Sequence, residues 1–326
     1  MIKKQIKKQI KKQIKKTDTF KEIENKNKSL EKQIKNLKDH VKNMERLRDN
    51  LKAENRSIKD VYVKKTSNTP CDYDSLTVVI PYRETEDLER EENVEITLRY
   101  LSKVGITNLI ISEHSDVSSE KFLVKEYENL FNSFKVIFSN ANGSLFNKAH
   151  AINEGVNASK TPYIAIVDID CLTEKKNIDL AINLLEKGFE VVHPFNRVIK
   201  DIVDKEEFKR EYDFKTVQSP PQYRDWADGG IVFWNKKSFM NIGMKNEYFS
   251  GWGGEDNEII IRANVFQLKQ IRIDESLYHL YHDRPKIRTK NNVEQINKIE
   301  EIKSKEELLK EINRWPWVFN FKENQD

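Results

Sequence analysis

An α/β fold with a mostly parallel sheet, carried behind an N-terminal α-helical coiled coil, is predicted by two features of the 326-residue chain. The first is a shift in composition. Residues 1–70 are crowded with Lys, Asn, Gln and Glu and hold few aromatics, whereas from Leu76 onward apolar runs, Trp and Phe suffice for a sizeable core. The second is an alternation after Leu76 of short apolar, β-branched runs with longer helical patterns, which suggests parallel strands covered on both faces by helices.

The chain opens with a repeat across 1–16, in which Ile2, Ile6, Ile10 and Ile14 recur every fourth residue between lysines and glutamines. That period places one isoleucine per turn on a slowly drifting stripe. So little apolar area reads as a solvated helix or a low-complexity expansion, the alternative being a basic amphipathic helix on an anionic membrane surface. Residues 17–60 follow a heptad. Ile23, Leu30, Leu37, Met44, Leu51 and Ile58 fill position d, while Phe20, Asn27, Ile34, Val41, Arg48 and Asn55 fill position a. A complete apolar d row predicts an oligomerising coiled coil, with buried Asn restricting register and favouring a dimer. A single long helix packed on the rest of the protein is the alternative. Residues 61–75, with Thr-Ser-Asn-Thr-Pro, read as a linker.

The main domain, 76–290, begins with Leu76-Thr-Val-Val-Ile-Pro81, a β-branched strand ended by proline. A helix near 87–104, a strand Leu109–Ser112, a helix near 119–131 and a strand Lys135–Phe138 follow. Next come a helix near 146–158, a strand Tyr163–Val167, a helix near 175–187 and a strand Glu190–Val192. Ligands of such sheets bind beyond the carboxyl ends of the strands, so the site is expected there.

Composition limits the function classes. The net charge is +4, and much of the excess sits in the first sixteen residues, so the body of the protein is near neutral and does not read as nucleic-acid-binding. Cys71 and Cys171 make no disulfide framework, which suits a reducing compartment. No window has the length and apolarity of a membrane span, and no apolar segment follows the basic start as in a secretory signal. A cytoplasmic protein, or one attached peripherally to a membrane through its basic N-terminus, is expected.

Three motifs carry the chemistry. The strand Tyr163–Val167 runs into Asp168-Ile169-Asp170, two carboxylates that are costly to leave unpaired at the end of a buried strand. A divalent cation bridging to a diphosphate resolves that cost; capping of the following helix is the structural alternative. Phe249-Ser-Gly-Trp-Gly-Gly-Glu-Asp-Asn-Glu258 combines a tight glycine backbone, the broad face of Trp252, and Glu255 and Asp256 opening a helix. The helix dipole favours ionised carboxylates there, which suits a general base beside a sugar platform. A Gly-rich turn with acidic capping and a core tryptophan is the alternative. Third, Tyr278-His-Leu-Tyr-His282 places His279 and His282 three residues apart, and imidazole with carboxylate suits Mn²⁺ better than Ca²⁺.

Taken with Ile80-Pro81-Tyr82-Arg83, Phe146-Asn147-Lys148-Ala149, Asn153, Gly155 and Gly229-Gly230, these motifs resemble, in order and rough spacing from about 76 to 290, the β-1,4-galactosyltransferases. They are similar also to chondroitin-polymerase-type and other family 2 glycosyltransferases of the GT-A nucleotide-diphospho-sugar transferase fold. The Trp-Gly-Gly-Glu-Asp element, Trp252–Asp256, is the most specific of them. The resemblance implies that Pro81, Tyr82 and Arg83 line the uridine or diphosphate pocket, with Lys148 and Asp168 near the ribose and phosphates and Gly230 in the same pocket. It implies Asp170 and His282 as metal ligands, with His279 where some relatives place a methionine or second histidine. It makes Asp256 the catalytic base, with Glu255 positioning hydroxyls and Trp252 against the sugar. The chain departs from the galactosyltransferase pattern at Asn257 and Glu258, where those enzymes often continue with Asp, and lacks the paired cysteines of the animal enzymes.

The expected activity is therefore an inverting transfer of a hexose or N-acetylhexosamine from a UDP-sugar to a glycan, glycolipid, glycoprotein or other hydroxyl acceptor, dependent on Mn²⁺ (or Mg²⁺). A catalytically degenerate carbohydrate-binding scaffold on a coiled coil is the rival. A nucleotidyltransferase fits less well, because no Gly-rich phosphate loop lies near Pro81. The tail, 291–326, reads as a charged helix ending in aromatics from Trp315 to Phe321, expected to pack on the core, with partner docking or acceptor contact as alternatives.

Overall fold

The computed structural model describes residues 2–14, 23, 25–35, 37–38, 71–85, 87–251, 253–282 and 290–318. Phe20, the heptad positions from Val41 onward, the linker as far as Pro70, Trp252 and Phe321 lie outside the described residues. The chain divides into two compact units, Met1–Asp60 and Val61–Asp326. In the first, the Lys-rich repeat forms helix α1 (Ile2–Ile14), and residues 25–35 are helical. Ile6 and Ile10 of the repeat and Ile23, Leu30, Ile34 and Leu37 of the heptad are exposed.

The second unit is built on a seven-stranded sheet with the order β10-β6-β9-β4-β1-β2-β3. Its first strands are β1 (Leu76–Tyr82), β2 (Asn108–Ser115), β3 (Ser133–Asn140) and β4 (Tyr163–Val167), all mutually parallel. Proline does not end β1, which continues to Tyr82, because Pro81 lies past Val79, the last residue paired with β4, and pairs only with β2. Helices α2 (Leu88–Val104), α3 (Glu120–Tyr127), α4 (Lys148–Ala158) and α5 (Lys175–Glu186) fall where the sequence places them, α3 ending a turn early in a 3₁₀ segment. Gly155 is where α4 meets the sheet. A Cβ there would come within 2.5 Å of Val79 Cγ1, so only glycine lets helix and strand approach this closely.

The sheet is mostly parallel, as expected, and mixed through one reversed strand. Strand β6 (Val191–His193) pairs parallel with β10 (Gln270–Arg272), but β9 (Ile231–Asn235) lies between β4 and β6 and runs antiparallel to both. The chain enters β9 through Gly229-Gly230 at the end where β4 leaves, so it can only run back. Apolar content alone does not record strand direction. A second sheet, order β5-β11-β7-β8, was not legible: β5 (Cys171–Leu172) and β8 (Gln222–Tyr223) have two residues each, and β7 (Val198–Ile202) and β11 (Ser276–Leu280) five.

The C-terminal residues pack on the same unit. Helices α6 (Lys205–Glu211), α7 (Lys236–Asn241) and α8 (Glu255–Val265) precede α9 (Lys290–Glu301) and α10 (Lys305–Ile312). Trp315 is buried with Ile299, Leu308 and Ile312, and its ring lies 5.0 Å from the Arg262 guanidinium. Arg262 is itself fully buried and paired with Glu258 at 2.7 Å. The expected core role of the tail aromatics is met at Trp315, and Glu258 proves to be a structural ion-pair partner.

Candidate active site

The carboxyl ends of β1, β4 and β6, with the N-terminus of α8, bring the chemically active residues together. Val167 ends β4, and the turn after it is pinned from three sides: Asp168 N–H donates to Gly230 O at 2.8 Å, Thr97 Oγ1 to Ile169 O at 2.7 Å, and Leu280 N–H to Asp170 O at 2.8 Å. The Asp pair therefore caps no helix; the cap position of α5 is Glu174, with β5 intervening. Gly230 serves by its backbone. Its φ of +90° is open to glycine, and a Cβ there would strike Leu277 at 2.7 Å and Cys171 Sγ at 3.2 Å.

Asp170, His279 and His282 converge. Their ligand atoms all lie within 4.8 Å of one another, with His282 Nε2 2.8 Å and His279 Nε2 3.6 Å from Asp170 Oδ2. The second sheet creates this arrangement, since His279 on β11 is the register neighbour of Cys171 on β5 and of Asp201 on β7. His279 Nδ1–H donates to Asp201 Oδ1 at 2.9 Å, which orients the ring with Nε2 towards Asp170. One carboxylate and two imidazoles, one anchored by a carboxylate behind it, suit a divalent transition ion such as Mn²⁺. Asp201 escaped the sequence reading because only the pairing of β7 with β11 brings it to the site.

Beside this triad lies a second cluster around Lys148, the first residue of α4, whose N-cap Asn147 accepts from His150 N–H. Lys148 Nζ is 2.8 Å from Asp168 Oδ1, 3.0 Å from Asp256 Oδ2 and 3.4 Å from Glu255 Oε1. Burial would draw the Lys148 ammonium down, but Asp168, Asp256 and Glu255 outweigh it and hold it well above the usual lysine range. Asp256 has a second cationic partner, Lys245, 2.5 Å from its Oδ1. Burial opposes ionisation of Asp256, yet Lys148 and Lys245 prevail and hold its carboxyl well below the usual range. For Asp168 burial wins, helped by Asp256 and Asp170 against Lys148, and the carboxyl is raised to about 6. Glu255 Oε2 is buried with no hydrogen-bond partner among the described residues.

Asp256 also has no room to spare. A Cβ on Gly229 would meet Asp256 Oδ2 at 2.0 Å, so the glycine pair supplies the space for this carboxylate. Asn257, next to it, donates to Trp226 O at 2.7 Å and Asp228 Oδ2 at 2.9 Å, and Asp228 accepts from both Arg197 and Arg272. Asp168, Asp228, Gly229, Gly230, Lys245 and Asp256 share one pocket. Pro81 and Tyr82 are buried at the end of β1. Arg83 donates to Ser144 O at 2.9 Å, in the loop after β3. Lys245 and Asp228 carry no local signal in sequence; only contact with Asp256 or its neighbour reveals them.

The model for glycosyl transferase family 2 matches residues 77–247, more than half of the chain. The chain belongs to glycosyl transferase family 2. It is a glycosyltransferase with a GT-A-like α/β fold, a mixed sheet flanked by helices. A second model, for the N-terminal domain of galactosyltransferase, matches residues 214–283, which contain Gly229-Gly230, Asp256, His279 and His282. No curated protein matches the chain. Among solved structures, this family 2 chain is similar to the catalytic domain of Drosophila β-1,4-galactosyltransferase 7 in complex with xylobiose, at 18% identity over 70% of this chain and 82% of that one, with a TM-score of 0.44. A mutant of that Drosophila enzyme with manganese, UDP-Gal and xylobiose gives 18% identity, coverage of 68% and 78%, and a TM-score of 0.44. TarS of S. aureus gives 15% identity, 63% of this chain and 60% of that one, and a TM-score of 0.45. No described helix is long and apolar enough to cross a membrane.

Proposed function

We propose that this family 2 chain is an inverting, metal-dependent glycosyltransferase that moves a hexose or N-acetylhexosamine from a UDP-sugar to a glycan or other hydroxyl acceptor. The observation that carries the reading is the convergence of Asp170, His279 and His282 immediately beside the Lys148–Asp168–Asp256 cluster. Asp170 and the two histidines hold Mn²⁺ (or Mg²⁺), which supplies positive charge against the leaving diphosphate. Pro81, Tyr82, Arg83, Lys148, Asp168 and Gly230 line the nucleotide and phosphate side. Trp252 packs against the sugar, and Glu255 holds a donor or acceptor hydroxyl.

Asp256 acts as the base. It takes the proton of the acceptor hydroxyl as that oxygen attacks the anomeric carbon and the bond from that carbon to the diphosphate oxygen breaks, in a single displacement with inversion. Residues 17–60 form an oligomerising coiled coil, 61–75 a linker, 76–290 the transferase domain and 291–326 the tail, in a cytoplasmic protein. The test is a panel of UDP-sugars incubated with and without Mn²⁺, with UDP release followed for each, alone and with glycan acceptors. Manganese-dependent release from one donor is expected, and Asp170→Ala should abolish it while leaving the thermal melt intact. Binding of glycans without turnover of any donor would replace this reading by that of a degenerate carbohydrate-binding scaffold.

A further inference from the structure

Lys245 is a residue that neither the family motifs nor the triad accounts for. Lysine is almost never fully buried unless paired, and this side chain is 3% exposed, with Asp256 as its salt-bridge partner. Its backbone is fixed from both sides by Asn153 on α4: Lys245 N–H donates to Asn153 Oδ1 at 2.9 Å, and Asn153 Nδ2 donates to Lys245 O at 2.9 Å. Asn153 also donates to Glu247 Oε1 at 2.8 Å, so helix and loop deliver the lysine along a defined path. At its tip, Lys245 Nζ donates to Asp256 Oδ1 and reaches Glu255 O at 3.4 Å.

The two oxygens of Asp256 are held differently. Oδ1 faces Lys245, a buried ammonium whose other partner is a backbone carbonyl. Oδ2 faces Lys148, which is shared with Asp168 and Glu255 and keeps those partners if it leaves Asp256. We propose that Lys245 is a positioning residue for the transfer reaction: it fixes Asp256 Oδ1 and keeps the carboxylate ionised, leaving Oδ2 as the oxygen that receives the acceptor proton. The inference rests on Asp256 being the base. An apolar side chain at 245 would fill the space but leave Oδ1 unpaired in a buried setting and make protonation of Asp256 easier.

Charged and titratable groups reach Asp256 from every side: Lys148 from α4, Asp168 from the end of β4, Lys245 from the loop after α7, and Glu255 from its own helix. His193 at the end of β6 feels it as well, with Arg272 and Arg197 nearby. Lys148 and Lys245 are the two cations bound to it among the described residues. Removing Lys245 removes one of them, so the carboxyl titrates at higher pH and the acid limb of kcat/KM moves up.

The experiment compares wild type, Lys245→Met and Lys245→Arg in full-length enzyme with Mn²⁺ and the donor found above, across about pH 5 to 8. The quantity read is the ratio of each variant's kcat/KM to wild type, which cancels groups titrating in both enzymes. With burial then opposed by Lys148 alone, the Met variant's carboxyl should titrate within this range. Its ratio should fall at least about tenfold from the alkaline to the acid end, the effect of a base that titrates about one pH unit above the acid end, while the Arg variant's stays flat. A Met ratio that is constant with pH, whether near unity or uniformly low, overturns the proposal. If the Met variant fails to melt cooperatively, Lys245→Gln takes its place under the same criterion. The base assignment is checked separately: Asp256→Asn with near-normal turnover defeats that reading. If Asp256→Asn is inactive yet Lys245→Met shows a flat ratio, only the positioning role fails.

Discussion

Replacing Gly229 by alanine puts a methyl group where the carboxylate of Asp256 now sits. The new Cβ would lie 2.0 Å from Oδ2, 2.5 Å from Cγ and 3.1 Å from Cβ of Asp256. Contacts closer than 3.0 Å are not sustained, so the carboxylate or the loop must give by at least about 1 Å. Gly229 has no positive φ, so the perturbation is purely steric. Asp256 cannot move freely, because Lys148 and Lys245 hold its two oxygens. Displacing a reacting group by about 1 Å costs on the order of 10²-fold in rate, and overpacking a tight site costs about 1–3 kcal/mol of stability. The assay is steady-state transfer with the identified UDP-sugar, alongside donor binding by calorimetry and a thermal melt. Transfer should fall about 100-fold with donor affinity little changed, since the methyl strikes the base and not the phosphate side. Wild-type kcat in a folded Gly229→Ala enzyme would refute the placement of Asp256 as base.

Three further outcomes are expected. Asp201→Ala leaves His279 without the carboxylate that orients it, so Mn²⁺ affinity, read by spin-resonance titration of the free ion, should weaken about 10–100-fold; an unchanged affinity would exclude His279 as an oriented ligand. Burial first, then Arg272 and Arg197, depress the pKa of His193 well below 6.5, so the unfolded chain binds a proton there that the folded chain does not. Stability should therefore be fully present above pH ~6.5 and decline as the pH falls below it, by at most about 1.4 kcal/mol per unit for this proton, and His193→Phe should remove that part of the slope in urea titrations. Trp315→Ala empties a fully buried site beside Arg262 and should cost about 3–5 kcal/mol in denaturant unfolding without a matching loss of kcat at a temperature where the variant stays folded; stability within about 1 kcal/mol of wild type would contradict the packing.

Apart from the two-residue β5, the order of strands and helices from Leu76 to Val192 was legible because each is a run of local pattern: β-branched residues for the strands, helical periodicity between them, and turn residues at the joints. The Asp168–Asp170 turn and the acidic start of α8 were legible for the same reason, being contiguous motifs tied to a predictable element boundary. Direction and partners were not. Strand β9 reads as any apolar strand, yet the Gly229-Gly230 turn sends it back between β4 and β6.

The sequence by itself determined the chemistry that is contiguous along the chain: a carboxylate pair at a strand end, a Gly-rich acidic loop opening a helix, and two spaced histidines. Tertiary structure alone decided which of these meet and in what state of charge. Pairing of β5, β11 and β7 brings Asp170 to His279 and sets Asp201 behind it. Packing of α4 against the loop after α7 places Lys245 on Asp256, and the backbone of Gly229 makes room for that carboxylate. Each depends on distances between residues far apart in the chain. Burial and Coulomb interaction act through space, so a carboxylate held ionised by two lysines becomes visible only once the chain has folded.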